Sequence, residues 1–154
     1  MRALLQRVVG ASVSIEGETA ASIGRGLVVL LGVSRQDTEE DARYLVDKTL
    51  NLRLFPDGTS HFDRSALDIQ AELLVVSQFT LYASTRKGRR PDFTDAAPPQ
   101  EAEPLYEQTV EMFRESGLRV ATGRFRELMT VTIQNEGPVT LMLDSADRFK
   151  PRRG

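Results

Sequence analysis

The sequence has no cysteine, no tryptophan and a single histidine in 154 residues. Without cysteine there can be no disulfide and no thiolate metal site, which suits a reducing cytoplasm. One histidine, His61, excludes a multi-histidine zinc site within one chain. Any Ser–His–Asp or Cys–His catalysis would also have to run through it. His61 lies in FPDGTSHFDRS, a turn-rich polar segment that reads as surface. An enzyme built on this chain is therefore expected to work without a histidine base, and neither a metal nor a cofactor is expected. Long apolar runs are missing too: nothing approaches the roughly 20 residues that cross a bilayer. The opening MRALLQRVVG is broken by charge and has no small-residue cleavage site, so it does not read as a signal peptide. A cytoplasmic protein with no membrane partner is the expectation.

Charge of one sign is scarce as well. Twenty Lys and Arg against 22 Asp and Glu leave −2, which argues against a general nucleic-acid binder, and DNA is not expected as a partner. The basic residues are clustered, however. TRKGRR holds Arg86, Lys87, Arg89 and Arg90, and the tail DRFKPRRG holds Arg148, Lys150, Arg152 and Arg153. Such clusters make a local phosphate-binding footprint or else a solvated surface.

What is present reads as one domain over 1–154, long enough to bury a sizeable core. Residues 2–9, 11–16 and 18–23 read as strands, the last two joined by a tight turn at Gly17. GLVVLLGV, 26–33, is apolar throughout, as in a strand covered on both faces. From Thr38 to Leu50 the period becomes helical, with Asp37 or Thr38 as N-cap. NLRLF is a short strand, PDG a turn, and 71–77 a buried strand. Residues 84–99 form a long loop, of the kind that often carries function. A second amphipathic helix is expected from near Glu101, because Pro104 belongs in the first turn of a helix, and Gly117 stops it. Strands near 119–121, 127–135 and 138–144 finish the chain. The fold class is thus α+β: a strongly curved or barrel-like, mainly antiparallel sheet with two main helices.

Two stretches carry chemistry. VVSQFTLYAS, 75–84, begins as a buried strand and ends in Ser77, Gln78 and Thr80 around Phe79. NEGPVT, 135–140, joins the last two expected strands. There Gly137 can take backbone angles closed to other residues, and Pro138 permits a cis peptide where a plain turn would be trans. SQFTLYA and NEGPVT together, about 60 residues apart, resemble the signature pair of the D-aminoacyl-tRNA deacylases. The likeness extends through MRALLQRVVGASVSIEG, GLVVLLGV, RRPDF and TGRF, to about residue 144, and leaves the basic tail 145–154 outside it.

That resemblance implies an editing hydrolase that cleaves the ester between a D-amino acid, or glycine, and the 3′ end of tRNA. It implies a homodimer with active sites at the subunit interface. A cis Gly137–Pro138 bond would turn its flanking carbonyls the same way, toward the α-ammonium of the substrate, so that L-residues are rejected. Arg7 matches the position that braces this loop. Backbone N–H groups around Phe79 and Thr80 are candidates for an oxyanion hole, with Ser77 and Gln78 holding the adenosine or the carbonyl. Thr80 has the form of a nucleophile, but no base is visible to activate it. The family suggests instead that the terminal 2′-hydroxyl of tRNA assists water. Phe125 and Met129 match adenosine-pocket positions, although RFRELM reads equally as core. The rival expectation is a non-catalytic RNA-binding module of the same fold.

Overall fold

The structure, a computed structural model, describes residues 1–153. Its centre is one long strand, β1 (Arg2–Ile15). One edge of β1 pairs antiparallel with β3 (Gly26–Gly32) along its first half and with β2 (Glu18–Ile23) along its second. The other edge pairs along its whole length with β6 (Thr130–Asp144). Strand β4 (Glu72–Ser77) runs parallel to β3, and β5 (Val120–Thr122) runs parallel to β4. The six strands form a mixed, nearly closed, barrel-like sheet, so the expectation of a mainly antiparallel one holds for three of five pairings. The two parallel connections demand crossovers, which α1 (Glu39–Asn51) and α3 (Pro99–Glu115) supply, with a single turn of helix, α2 (Ala66–Ile69), between them.

The apolar run of β3 divides by parity, as pleating requires. Leu27, Val29 and Leu31 face the core under the helices, with Leu73 and Val75 of β4, Leu45 of α1 and Phe113 of α3. Val28, with Leu74 and Val76, faces a second core inside the curl of the sheet, beside Val8, Val13 and Ile23. Parallel strands covered on both faces explain why no polar residue interrupts this run. Gly26 permits it: a Cβ there would lie 1.7 Å from the Glu72 carbonyl oxygen. Gly26→Ala must therefore force β3 and β4 apart, and is expected to lower unfolding free energy by about 3 kcal/mol or more, read from urea melts.

Several boundaries differ from the sequence expectation. Strands 2–9 and 11–16 are one strand with an irregularity between Val8 and Gly10, where the register against β6 shifts. Gly10 marks a bulge rather than a break, and the inward face passes from Val8 to Ala11 and Val13. Likewise 127–135 and 138–144 are the single strand β6. The second helix starts at Pro99, not near Glu101, so Pro104 lies inside it. Burial of Ala102, Tyr106, Val110 and Phe113 along one face offsets the cost of that proline. NLRLF is the end of α1 followed by one bridge, Phe55 to Arg64. Helix α2 begins at a capping box, Ser65 and Asp68, which the sequence does show. A terminal 3-10 turn, Ser145–Phe149, continues β6.

Candidate functional site

Strands β3, β4 and β5 point their C-terminal ends the same way, and the first motif sits there. Ser77 is the last residue of β4, paired with Leu31. The Gln78 amide donates to the Leu31 carbonyl at 2.8 Å, which ends the ladder. Phe79–Tyr82 then turn into a short 3-10 helix packed on Gly32, where a Cβ would meet Gln78 O and Leu81 Cβ at 3.1 Å. As the opening residues of that turn, Phe79 and Thr80 keep amides with no protein acceptor among the described residues. Two adjacent free N–H groups beside a polar cluster can receive an oxyanion. The Thr80 hydroxyl accepts a hydrogen bond from Gln78 Nε2, a donor and not a base. Phe79 is 53% exposed and meets Phe93 edge to face, with ring centroids 5.0 Å apart. An exposed apolar ring beside a polar cluster can stack on a base or meet a partner chain.

The adenosine-pocket candidates lie at the same end of the sheet. Phe125 follows β5 and its ring stands 5.7 Å from that of Tyr106, whose hydroxyl donates to the Val75 carbonyl, two residues before Ser77. Burial pushes the Tyr106 phenol up to about 12, so it stays a donor at neutral pH. Met129 lies against Gly123, where an added Cβ would be 2.7 Å from Met129 Sδ. Phe125 opens on a cleft of about 500 Å³ against α3, lined also by Tyr106, Thr122 and Arg124. Met129 packs into the second core while remaining partly exposed. Both residues are thus partly core and partly surface.

The second motif interrupts β6. Thr140 pairs with Gln6 and Asn135 with Val8, so Glu136–Val139, four residues, stand opposite Arg7 alone. The Gly137–Pro138 bond is cis, and Gly137 has φ +115°. Asn135 closes the base of this bulge: oriented to satisfy its neighbours, its amide donates to Val139 O at 3.1 Å and Arg7 O at 2.9 Å. Arg7 is 5% exposed. Its Nη1 donates to the Leu54 carbonyl (2.8 Å) and to that of the exposed His61 (3.3 Å), and its Nε lies 3.3 Å from Glu136 Oε1. A Cβ on Gly137 would come within 3.1 Å of Arg7 Nη2. A buried guanidinium with these partners fixes the bulge, and truncating it would leave Glu136 unpaired.

Strand register sets the two motifs apart along the sheet of one chain. The bulge is level with Arg7 on β1, whereas Ser77 pairs with Leu31 and Leu31 with Ala3. Four residues along β1 and three strand spacings across it separate them, about 13 Å by 14 Å, or roughly 20 Å within the sheet.

The basic stretch Arg86–Arg90 is a hairpin pinned at its base by mutual Ser84–Asp92 backbone bonds and turned at Gly88 (φ +65°). Arg86, Lys87, Arg89 and Arg90 are exposed, and none pairs with a carboxylate among the described residues. The tail is different. Arg148 pairs with Asp41 at 2.9 Å and lies over the Phe149 ring, and Lys150 pairs with Asp147. Those two charges are engaged, which leaves Arg152 and Arg153 exposed. Among the described residues no helix is long and apolar enough to cross a membrane, and no acidic, histidine or cysteine group could hold a metal ion. The 3-10 form of Phe79–Tyr82, which packs on Gly32, and the approach of Arg2 and Arg35 to it have no signal in the local sequence.

Comparison with known proteins fits this arrangement. A family model described as D-Tyr-tRNA(Tyr) deacylase matches residues 4–144. A D-aminoacyl-tRNA deacylase of Dehalococcoides mccartyi is 56% identical over 152 residues, covering 99% of each chain. One from Thermotoga petrophila is 52% identical over 149 residues, 97% of this chain and all of that protein. Among solved structures, a c-Myc DNA unwinding element binding protein superposes with TM-score 0.88 at 44% identity, covering 94% of this chain and 98% of that one. A probable eukaryotic D-amino acid tRNA deacylase, 21% identical, shares the fold with TM-score 0.80 over 93% of this chain and 98% of its own. By the family match and these identities, the chain belongs to the D-aminoacyl-tRNA deacylases, a family of hydrolases.

Proposed function

We propose that this protein removes D-amino acids and glycine from tRNA by hydrolysing the 3′ ester, with water activated by the RNA and not by a protein base. The observation that carries this reading is the pair of amides at Phe79 and Thr80, unengaged among the described residues, set beside a hydroxyl whose only side-chain partner among them is a donor. Such a centre stabilises a developing oxyanion and orients the ester, and leaves proton transfer to the substrate. Ser77 and Gln78 hold the ester carbonyl or the ribose, and Phe125 and Met129 flank the terminal adenosine.

Chirality is judged by the bulge. A pocket that accepts many side chains and one hand can grip only the α-ammonium, Cα and the ester. Backbone carbonyls of Glu136–Pro138, released from the ladder, suit an ammonium. Since register sets the bulge and the end of β4 roughly 20 Å apart along the sheet of one protomer, the bulge serves the site of a second copy. Exposed Val9, Leu141 and Met142 on β1 and β6 supply an apolar surface for that homodimer. The aminoacyl end of tRNA is the ligand, and the free charges of the 86–90 hairpin contact its phosphates.

The deciding experiment incubates the protein with matched D- and L-tyrosyl-tRNA and follows ester loss. Rapid loss from the D-ester alone is expected, and equal rates on both would reject the chiral filter. The unpaired hairpin also favours a binding module without catalysis, which would shift tRNA in a gel and release no amino acid. Arg89→Glu with Arg90→Glu should raise KM for tRNA and flatten the salt dependence of binding, by just under one unit of log–log slope per lost contact on duplex and about 0.7 on single strands. D-over-L preference should persist, because phosphate contacts position the substrate without reading the amino acid.

A further inference from the structure

A second cleft, of about 560 Å³, opens on the other flank of the 3-10 turn from Phe125, and of its lining only Arg86 has a role above. Its lining includes Arg2, Arg35, Arg86, Tyr82, Ser84 and Asp95, so three arginines from three separate segments line it, with Asp95 the one carboxylate of the lining and Asp144 paired to Arg2. Each arginine is differently held. Arg2 donates from Nη1 to the Leu81 carbonyl at 2.8 Å, from Nε to Asp144 at 3.2 Å, and lies 4.6 Å from the centre of the Tyr82 ring. Arg35 donates from Nε to the Thr94 carbonyl at 2.8 Å, which aims it while leaving both terminal nitrogens without an acceptor among the described residues. Arg86 has no ion-pair partner among the described residues and stands at the root of the basic hairpin.

Position gives the cleft its meaning. Arg2 is bonded to the residue next to Thr80. Ser84 is four residues from Thr80, at most about 14 Å even if the chain were extended. A strand whose 3′ end is held at Thr80 must pass close by, and what it carries at each step is a phosphodiester. Planar guanidinium forks suit that group better than point charges do.

We propose that the Arg2–Arg35–Arg86 cleft is a phosphodiester site for the single-stranded acceptor end of the RNA, one that registers the strand so that its terminal ester meets the Phe79 and Thr80 amides. Arg2 acts as a positioning residue for the turn, and Arg35 and Arg86 carry the contact. The proposal rests on the deacylase reading for the identity of the strand, but binding alone tests it.

The experiment measures by fluorescence anisotropy, across a salt series, the affinity of labelled CCA trinucleotide, with unlabelled adenosine as competitor in a parallel titration. Arg35→Glu and, separately, Arg86→Glu should weaken the trinucleotide about tenfold each and reduce the salt slope by about 0.7. The selective loss should fall on the trinucleotide, shrinking its advantage over adenosine. Arg35→Lys should recover only part of the affinity, with the salt slope restored, because it returns the charge without the fork. Arg86→Glu, on an exposed hairpin, keeps the test valid if Arg35→Glu fails to fold. Unchanged affinity and slope in the folded variants overturn the proposal, whatever the protein does to D-tyrosyl-tRNA. Equal losses for adenosine and trinucleotide overturn it too, since they mean a distorted turn. Arginine-dependent trinucleotide binding by a protein that releases no D-tyrosine would instead uphold the cleft and reject the hydrolase.

Discussion

D-Tyrosyl-tRNA ending in 2′-deoxyadenosine should be hydrolysed at least about a hundredfold more slowly than the ribose substrate, the range in which a positioned acid–base group acts. Thr80→Val, on the ordinary substrate, should cost less than about tenfold. The contrast follows from what surrounds the Thr80 hydroxyl: Gln78 Nε2 donates to it, and among the described residues no carboxylate or imidazole accepts from it. A hydroxyl that only receives a hydrogen bond cannot be deprotonated by that partner, so it orients and does not attack. The amides of Phe79 and Thr80 survive the substitution, because the backbone supplies them, and with them survives most of the charge stabilisation. Single-turnover rates at saturating protein separate the chemical step from binding. A hundredfold loss in Thr80→Val with the deoxy substrate unimpaired, or an acyl ester trapped on Thr80, would return the nucleophile to the protein.

Much of this is legible in the sequence. The apolar parity of β3 and β4, the Thr38 start of α1 and the polar end of β4 all follow from local pattern, because both faces of those strands are covered and the pattern has one solution. The misplaced boundaries share a cause. Gly10 and residues 136–137, just before Pro138, read as breaks because glycine and proline usually bound strands, but an edge or a bulge tolerates both. What holds β6 together through the interruption is β1 on its paired edge, a long-range partner that no window of sequence contains. The same limit applied to the site. Ser77–Thr80 and Gly137–Pro138 were identified together from resemblance, whereas their separation emerges only from strand register. Arg2 and Arg35 carried no motif, and only the fold brings them to Arg86.

That separation makes a strong demand on assembly. Gly137→Val should reduce D-tyrosyl-tRNA hydrolysis about a hundredfold or more, the scale set by misplacing a substrate by an ångström. The cause is local: φ is +115° at Gly137, and a Cβ would sit 3.1 Å from both Arg7 Nη2 and Val139 Cγ2. Thr80→Trp should be comparably inactive, because it fills the floor of the site from an exposed position that folding tolerates. Neither protein alone then has a working centre. If each site takes its amides from one subunit and its bulge from the other, a mixed dimer contains one centre made wholly of unaltered parts. Co-refolding the two variants in equal amounts should therefore restore about a quarter of native activity, since half the dimers are mixed and each has one good site of two. Carrying different affinity tags on the two chains lets the mixed species be purified, and its activity should approach half of native. Inactive mixed dimers, or a native protein that sediments as a monomer at assay concentration, would place bulge and amides in one chain's site against the register of the sheet.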